Sequence, residues 1–139
     1  MDIDFGEYKF SDNKGLISID KVCELLGSSY WANNQKRETT IKAIENSICI
    51  GIYLKKKMIG FARIVTDYAT MYWLSDVIID TQYRKNGLGK KLIEIITKMK
   101  ELDGIFGILA TRDAHGLYEK YGFKKVGEKY MRKDSDLLL

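Results

Sequence analysis

The longest apolar runs of the chain lie in its middle, separated by short polar breaks. "SICIGIYL" (47–54) reads as a strand, the lysines at 55–57 as a turn, and "MIGFARIVTD" (58–67) as the hairpin partner. "TMYWLSDVIID" (70–80) is nearly continuous in apolar and aromatic residues, the pattern of a central strand covered on both faces. Beyond it the period changes. Leu88, Leu92, Ile95, Ile96, Met99 and Leu102 recur at helical spacing, with lysines and Glu94 largely between them. A strand "GIFGILAT" (104–111), a short helix "AHGLYEKY" (114–121) stopped by Gly122, and a last extended piece near "FKKVGEKYMRK" follow. Upstream, "GEYKFS" and "GLISI" read as short strands. "SIDKVCELLGSSYWA" takes a helical period at Val22, Leu25 and Leu26, with Asp20 as cap and Gly27 as stop, and "NNQKRETTIKAIEN" is a weaker helix of mixed polarity. Several strands, then strand, helix, strand, helix, strand, make a mixed α/β (α+β) domain with at least one crossover, not a bundle or a sandwich.

Length and composition narrow this further. A chain of 139 residues with no proline, no Ser/Gly-rich linker and no repeat is expected to be one domain over 1–139. With 45% hydrophobic and 30% charged residues it falls in the ordinary globular range. The net charge of +4 comes with lysines in short runs at Lys55–Lys57, Lys90–Lys91 and Lys124–Lys125, an excess that suits an anionic small molecule as well as a nucleic acid. Nothing gathers it on one helix face, so a nucleic-acid partner is not expected. Cys23 and Cys49 form no CxxC pair and the lone His115 is distant from both, which predicts neither a zinc site nor a disulfide framework. The acidic start "MDIDFGEYKF" does not read as a signal peptide, and no apolar run approaches the roughly 20 residues that span a bilayer. A soluble cytoplasmic protein with no membrane partner is the expectation.

The stretch "IIDTQYRKNGLGKKLIEII" (78–96) carries the chemistry. A strand ending at Asp80, a turn, and a helix beginning near Gly87 point backbone N–H groups outward at the positive end of a helix dipole, and the glycines let a ligand approach that backbone. The expected guest is a phosphate or pyrophosphate; the plain alternative is an ordinary strand-to-helix turn with its lysines in water. A P-loop is excluded, because Arg84 stands where its first glycine belongs and Lys91 where its hydroxyl belongs. A dinucleotide fingerprint needs three glycines after the first strand of a βαβ unit and is absent as well.

Arg84-x-x-Gly87-x-Gly89 after an apolar strand resembles the pyrophosphate loop, Gln/Arg-x-x-Gly-x-Gly/Ala, of the GNAT family, the Gcn5-related N-acyltransferases. "LYEKYGF" (117–123) is similar to the family's final helix and the start of the strand after it, and "IGFARIVTD" extends the resemblance upstream, so that it covers about residues 47 to 127. The resemblance implies the GNAT-type acyl-CoA N-acyltransferase fold, a mixed central sheet flanked by helices. It implies acetyl-CoA as donor, with no metal, and a primary amine of a small molecule, peptide or protein as acceptor. Homodimers are frequent in such families. A non-catalytic acyl-CoA-binding or regulatory module on the same fold is the competing reading.

Acyl transfer to an amine must hold the pyrophosphate, present a neutral amine and protonate the departing thiolate. Arg84, Lys85 and the backbone of Asn86, Gly87, Leu88, Gly89 and Lys90 suit the first need by fork geometry and aligned dipoles. By resemblance, the backbone of Val77, Ile78 and Ile79 pairs with the pantetheine arm like an added strand. Tyr118 matches the family's frequent general acid, and a phenol near pKa 10 is protonated at neutral pH; the same residue also fits a core-facing stripe with Ala114, Leu117 and Tyr121. Asp76 interrupts an apolar strand, which makes it either a general base or a buried partner of an arginine such as Arg63. His115, three residues before Tyr118, is a second base candidate or simply a solvated residue. Proton removal through water needs neither. Tyr30 and Trp31, in the segment between the N-terminal helices, are acceptor-pocket candidates or aromatics that seal the core.

Overall fold

The apolar runs lie side by side in the order in which they occur. A computed structural model, which describes residues 1–136, joins β1 (Asp2–Phe5), β2 (Tyr8–Ser11), β3 (Ile48–Leu54), β4 (Lys57–Thr66), β5 (Met71–Ile79) and β6 (Phe106–Leu109) into one six-stranded sheet in that order. Helices α1 (Ile19–Gly27) and α2 (Arg37–Glu45) precede β3; α3 (Leu88–Thr97) connects β5 to β6, and α4 (His115–Glu119) follows. All neighbouring strands are antiparallel except β5 and β6, which run parallel because the chain crosses over through α3 between them. The mixed α/β domain with a crossover that the pattern predicts is therefore present, as is the mixed central sheet flanked by helices that the resemblance implies.

Each face of the sheet buries one helical layer. On one side Phe10, Ile50, Ile52, Ile64 and Leu74 meet Leu88, Leu92, Ile93 and Ile96 of α3. On the other, Cys49, Tyr53, Met58, Phe61 and Ile78 meet Val22, Leu25 and Leu26 of α1 and Ile44 of α2. Each such side chain taken fully out of water stabilises the fold by about 1.5–3 kcal/mol before conformational entropy is subtracted. Both cysteines are free thiols, and burial pushes that of Cys49 up to about 11. No helix of the described residues is long and apolar enough to cross a membrane.

Several local expectations are corrected. Ser18, not Asp20, caps α1, its Oγ accepting from Lys21 N at 3.1 Å; Asp20 sits in the first turn and pairs with Arg37 of α2. "GLISI" is not a strand: Asn13 caps a 3-10 turn over Lys14–Leu16 and the chain passes directly into α1. β2 pairs with β3 on one side and on the other with Asp2–Phe5, whose acidic residues hide its extended pattern. β5 alternates buried and half-buried positions rather than being covered throughout. Met99 and Leu102 reach the core after α3 has ended, through a 3-10 turn at Lys100–Leu102. The extended piece near "FKKVGEKYMRK" forms no strand among the described residues; Tyr130 instead stacks on Trp73 of β5 with ring centroids 6.2 Å apart.

One irregularity positions everything that follows. Between the pairs Arg63↔Ser75 and Phe61↔Ile78, one residue of β4, Ala62, faces two of β5, Asp76 and Val77. This is a β-bulge, and Asp76 occupies it in the left-handed region at φ 51. The extra residue reverses the side-chain alternation. Tyr72 and Leu74 face α3, and beyond the bulge Val77 and Ile79 do so again, while Asp76 turns to the α1 side. There Arg63 Nε donates to Asp76 Oδ2 at 2.7 Å and Trp31 Nε1 donates to Oδ1 at 2.8 Å. Arg63 also reaches the hydroxyls of Ser47 and Ser75, so the buried carboxylate and its cation are both well supplied with partners.

Replacing Asp76 by Ala strands the Arg63 guanidinium and the Trp31 indole, and urea unfolding is expected to show a loss of about 3 kcal/mol; Asp76→Asn, which keeps an acceptor for Trp31, is expected to lose less. A second test lies in the β3–β4 hairpin, whose two-residue turn holds Lys55 at φ 49 and Lys56 at φ 71, conformations costly for a side chain with a Cβ. Lys55→Asn with Lys56→Gly is expected to stabilise by about 1 kcal/mol, read as a rise in Tm of about 3–4 °C.

Candidate active site

Pairing between β5 and β6 runs from Met71↔Phe106 to Leu74↔Leu109 and goes no further. From Ser75 to Ile79, β5 has no strand partner on that edge among the described residues, so a row of backbone donors and acceptors is available to an extended ligand. Val77, Ile78 and Ile79 all belong to this stretch. The bulge at Asp76 sits at its start and turns β5 away from β6.

Directly after β5, Asp80 Oδ1 accepts from Gln82 N at 3.0 Å and caps a 3-10 turn, while its Oδ2 accepts from Lys21 Nζ of α1 at 2.6 Å. The lysine hydrogen bond holds the Asp80 carboxyl below the ordinary carboxylate range and raises the pKa of Lys21. The loop is then folded by its own side chains. Arg84 Nε donates to Ile79 O at 3.0 Å and leaves both Nη groups without a partner among the described residues. Asn86 Nδ2 donates to Tyr83 O at 3.0 Å and to Tyr8 Oη at 3.4 Å, tying the loop to β2. Lys85 at φ 70 and Gly87 at φ 76 make the reversal into α3.

Gly87 is the N-cap of α3, and α3 has no side-chain cap and no acidic residue in its first turn. Lys91 N is satisfied by Gly87 O at 3.0 Å, but the N–H groups of Leu88, Gly89 and Lys90 precede the first helical acceptor and are left for an external anion. A Cβ at Gly89 would lie 3.7 Å from Ile79 and 3.9 Å from Leu117. The helix start thus packs beside Ile79 at the free end of β5 and Leu117 of α4. These residues fit a pyrophosphate with a peptide-like arm attached: N–H donors and a spare guanidinium fork at one end, an open strand edge beside them.

Next to Leu117, α4 carries Tyr118, buried and edge-on to Phe123 at 6.0 Å. Burial pushes its phenol up to about 12, with Tyr30 and Asp113 adding to the rise, and its hydroxyl is in no hydrogen bond among the described residues. Tyr30 stands edge-on to Trp31 at 5.1 Å. Its hydroxyl accepts from Arg112 N at 3.2 Å, and the Arg112 guanidinium lies 3.8 Å over its ring. The structure therefore brings Tyr30, Trp31, Asp76 and Tyr118 into one region. It does not connect His115, half-exposed at the start of α4, to any of them by a hydrogen bond or ion pair. For Asp76, the contacts fill the reading of a buried partner to Arg63, since both carboxylate oxygens are engaged.

Arg112 is the site residue that sequence reasoning missed. Its partner Tyr30 lies 82 positions away. The only signal in the chain was a basic residue in the loop that follows a strand, the place where binding residues collect.

Comparison with known proteins bears on this geometry. Residues 45–125 match the GNAT acetyltransferase domain family. The uncharacterized N-acetyltransferase ycf52 of Pyropia yezoensis is 28% identical over 131 residues, covering 88% of this chain and 74% of that protein. GCN5-related N-acetyltransferase 2, chloroplastic, of Arabidopsis thaliana is 33% identical over 72 residues, half of this chain and 28% of its own length. The crystal structure of a GNAT-family protein from Xanthomonas campestris pv. campestris superposes with a TM-score of 0.89 at 29% identity, over 95% of this chain and 96% of that one. With its matched glycine loop, split sheet and shared architecture, the chain belongs to the GNAT acetyltransferase family.

Proposed function

We propose that the chain works as one N-acetyltransferase domain over 1–139, moving an acetyl group from acetyl-CoA to a primary amine of a small molecule or peptide. Family membership implies acetyl-CoA as donor and an amine as acceptor. The observation that supports the reading is the adjacency of three features around Gly89, Ile79 and Leu117: the uncapped start of α3, the unpaired edge of β5 and the protonated phenol of Tyr118.

In this reading the thioester supplies an activated acetyl group, and the chain supplies position and protons. Leu88, Gly89 and Lys90 N–H groups with Arg84 and Lys85 hold the pyrophosphate through the helix dipole and charge-assisted hydrogen bonds. The edge of β5 over Val77, Ile78 and Ile79 aligns the pantetheine amides and brings the thioester to the split. Tyr30 and Trp31 wall the acceptor side, and Asp76 acts as a positioning residue that fixes the Trp31 indole. The neutral amine forms the new C–N bond as the C–S bond breaks. Tyr118 gives its proton to the departing sulfur, and the surplus ammonium proton leaves to water. His115, with no hydrogen-bond or ion-pair partner among the described residues, takes no part in this account.

Calorimetric titration with acetyl-CoA and CoA is expected to show binding to the native protein. Gly87→Glu and Gly89→Glu, which put bulk and negative charge where the pyrophosphate sits, should abolish it; retained affinity in the folded Gly89 variant would remove the loop from the site. Tyr118→Phe is expected to lower kcat by on the order of 100-fold with little change in CoA affinity. Because the phenol stays protonated to about 12, the native pH–rate curve should follow the neutral fraction of the amine upward without an alkaline fall at lower pH. CoA binding without thiol release across a broad amine panel would favour a non-catalytic acyl-CoA-binding module instead.

A further inference from the structure

We propose that Arg112 selects acceptor amines that also carry an anionic group, a carboxylate or a phosphate. The inference rests on the N-acetyltransferase reading above and names the substrate class of the same site.

Arg112 stands apart in how it is partnered. Arg37, Arg63 and Arg132 each face a carboxylate, that of Asp20, Asp76 and Asp134 respectively, and Arg84 donates to a backbone carbonyl in the glycine loop. Arg112 has no carboxylate or carbonyl for its guanidinium among the described residues, although Asp113 is its immediate neighbour; its contact is the face of Tyr30 at 3.8 Å. Stacking of this kind occupies the plane of the guanidinium and leaves the in-plane fork of N–H donors open, the edge that matches a carboxylate or phosphate with two parallel hydrogen bonds. The hydrogen bond from Arg112 N to Tyr30 Oη fixes the ring beneath it. Much of the side-chain ordering that anion binding requires is therefore already in place.

Its position assigns the anion to the acceptor rather than the donor. The glycine loop packs on the α3 side of the sheet, where Gly87 faces Phe5 and Gly89 faces Ile79 and Leu117. Arg112 instead joins the ladder Arg112–Tyr30–Trp31–Asp76, which ends against the α1 side. It lies in the loop just beyond Leu109, the last residue of β6 paired with β5, and so beside the place where the two strands part. Tyr30 links the two functions, since the ring that supports Arg112 also stands near Tyr118.

The test uses matched pairs of acceptors with acetyl-CoA, followed by CoA thiol release: phosphoethanolamine against ethanolamine, β-alanine against propylamine, and lysine against 1,5-diaminopentane. The anionic member of at least one pair is expected to have a kcat/KM about tenfold or more higher, with the pairs separating phosphate from carboxylate preference. Arg112→Gln should collapse that ratio, Arg112→Lys should keep part of it, and Tyr30→Phe, which keeps the stacking ring, should keep most of it. Equal rates within every pair, or a preference that survives Arg112→Gln, would overturn the proposal. If no acceptor is turned over, the N-acetyltransferase reading fails, and calorimetry of the same pairs on CoA-loaded native and Arg112→Gln protein still decides the anion preference: a tighter anionic member that loses its advantage in the variant supports it, and no difference overturns it.

Discussion

A carboxylate placed inside the sheet sets the terms for the rest of this molecule. Asp76 occupies a bulge in β5 with both oxygens accepting hydrogen bonds, one from Arg63 and one from Trp31. A buried charge left unpaired is strongly destabilising, so these partners must be brought to it. Arg63 lies on the adjacent strand and needs only the register of β4. Trp31 comes from the segment between α1 and α2, and its hydrogen bond draws that whole segment onto the sheet. Tyr30 follows because it is the next residue, and through Tyr30 the contact reaches Arg112 beyond β6. A single local irregularity thus orders two loops far apart in sequence.

The same bulge divides the sheet's work between its faces. Beyond it, Val77 and Ile79 return to the α3 side, where Ile79 lies beside Gly89. Asp76 and Ile78 look to the opposite side, where α1 and the Trp31 segment lie. With pairing to β6 ended at Leu74, the two sides communicate through the split. An uncapped helix start then stands on one side and the Tyr30–Trp31 pair on the other, with Tyr118 in the α3-side core and near Tyr30. The proposed chemistry requires that separation, because a dianionic pyrophosphate and an entering amine need different surroundings.

The strands of the middle of the chain were legible because their apolar runs are long and their breaks short; the observed bounds of β3, β4 and β5 differ from the read ones by a residue or so. The start of α3 was legible for a different reason, the glycines at 87 and 89 before an apolar stripe of helical period. What failed was decided by contacts the sequence does not display. Ser18 and Asp20 are both good caps, and only the backbone path shows that Ser18 reaches Lys21 N. Asp2–Phe5 reads as polar until its pairing with Tyr8–Ser11 is seen. The Asp76 bulge is a case where local reasoning found the right residue and could not choose its role, because the choice depended on whether Arg63 and Trp31 arrive together. Arg112 had no local signal at all: its meaning lies entirely in a ring 82 positions earlier.

The electrostatics of the proposed site favour an acid over a base. Both Asp76 oxygens already accept hydrogen bonds, so taking a proton there would disrupt the Arg63 pair that holds the bulge. His115 makes no hydrogen bond or ion pair among the described residues that would fix its ring. Tyr118, by contrast, is buried, raised to about 12 and in no hydrogen bond among the described residues, which keeps its phenol protonated and suits the acid role proposed for it. Acyl transfer tolerates this asymmetry. The ammonium formed on attack is acidic enough to lose its proton to water, whereas a departing thiolate gains most from a donor already in position. The acceptor therefore has to arrive as the neutral amine. A site that does not deprotonate its substrate can still raise the local supply of it by holding some other part of the molecule, which is the role the geometry gives to the open fork of Arg112.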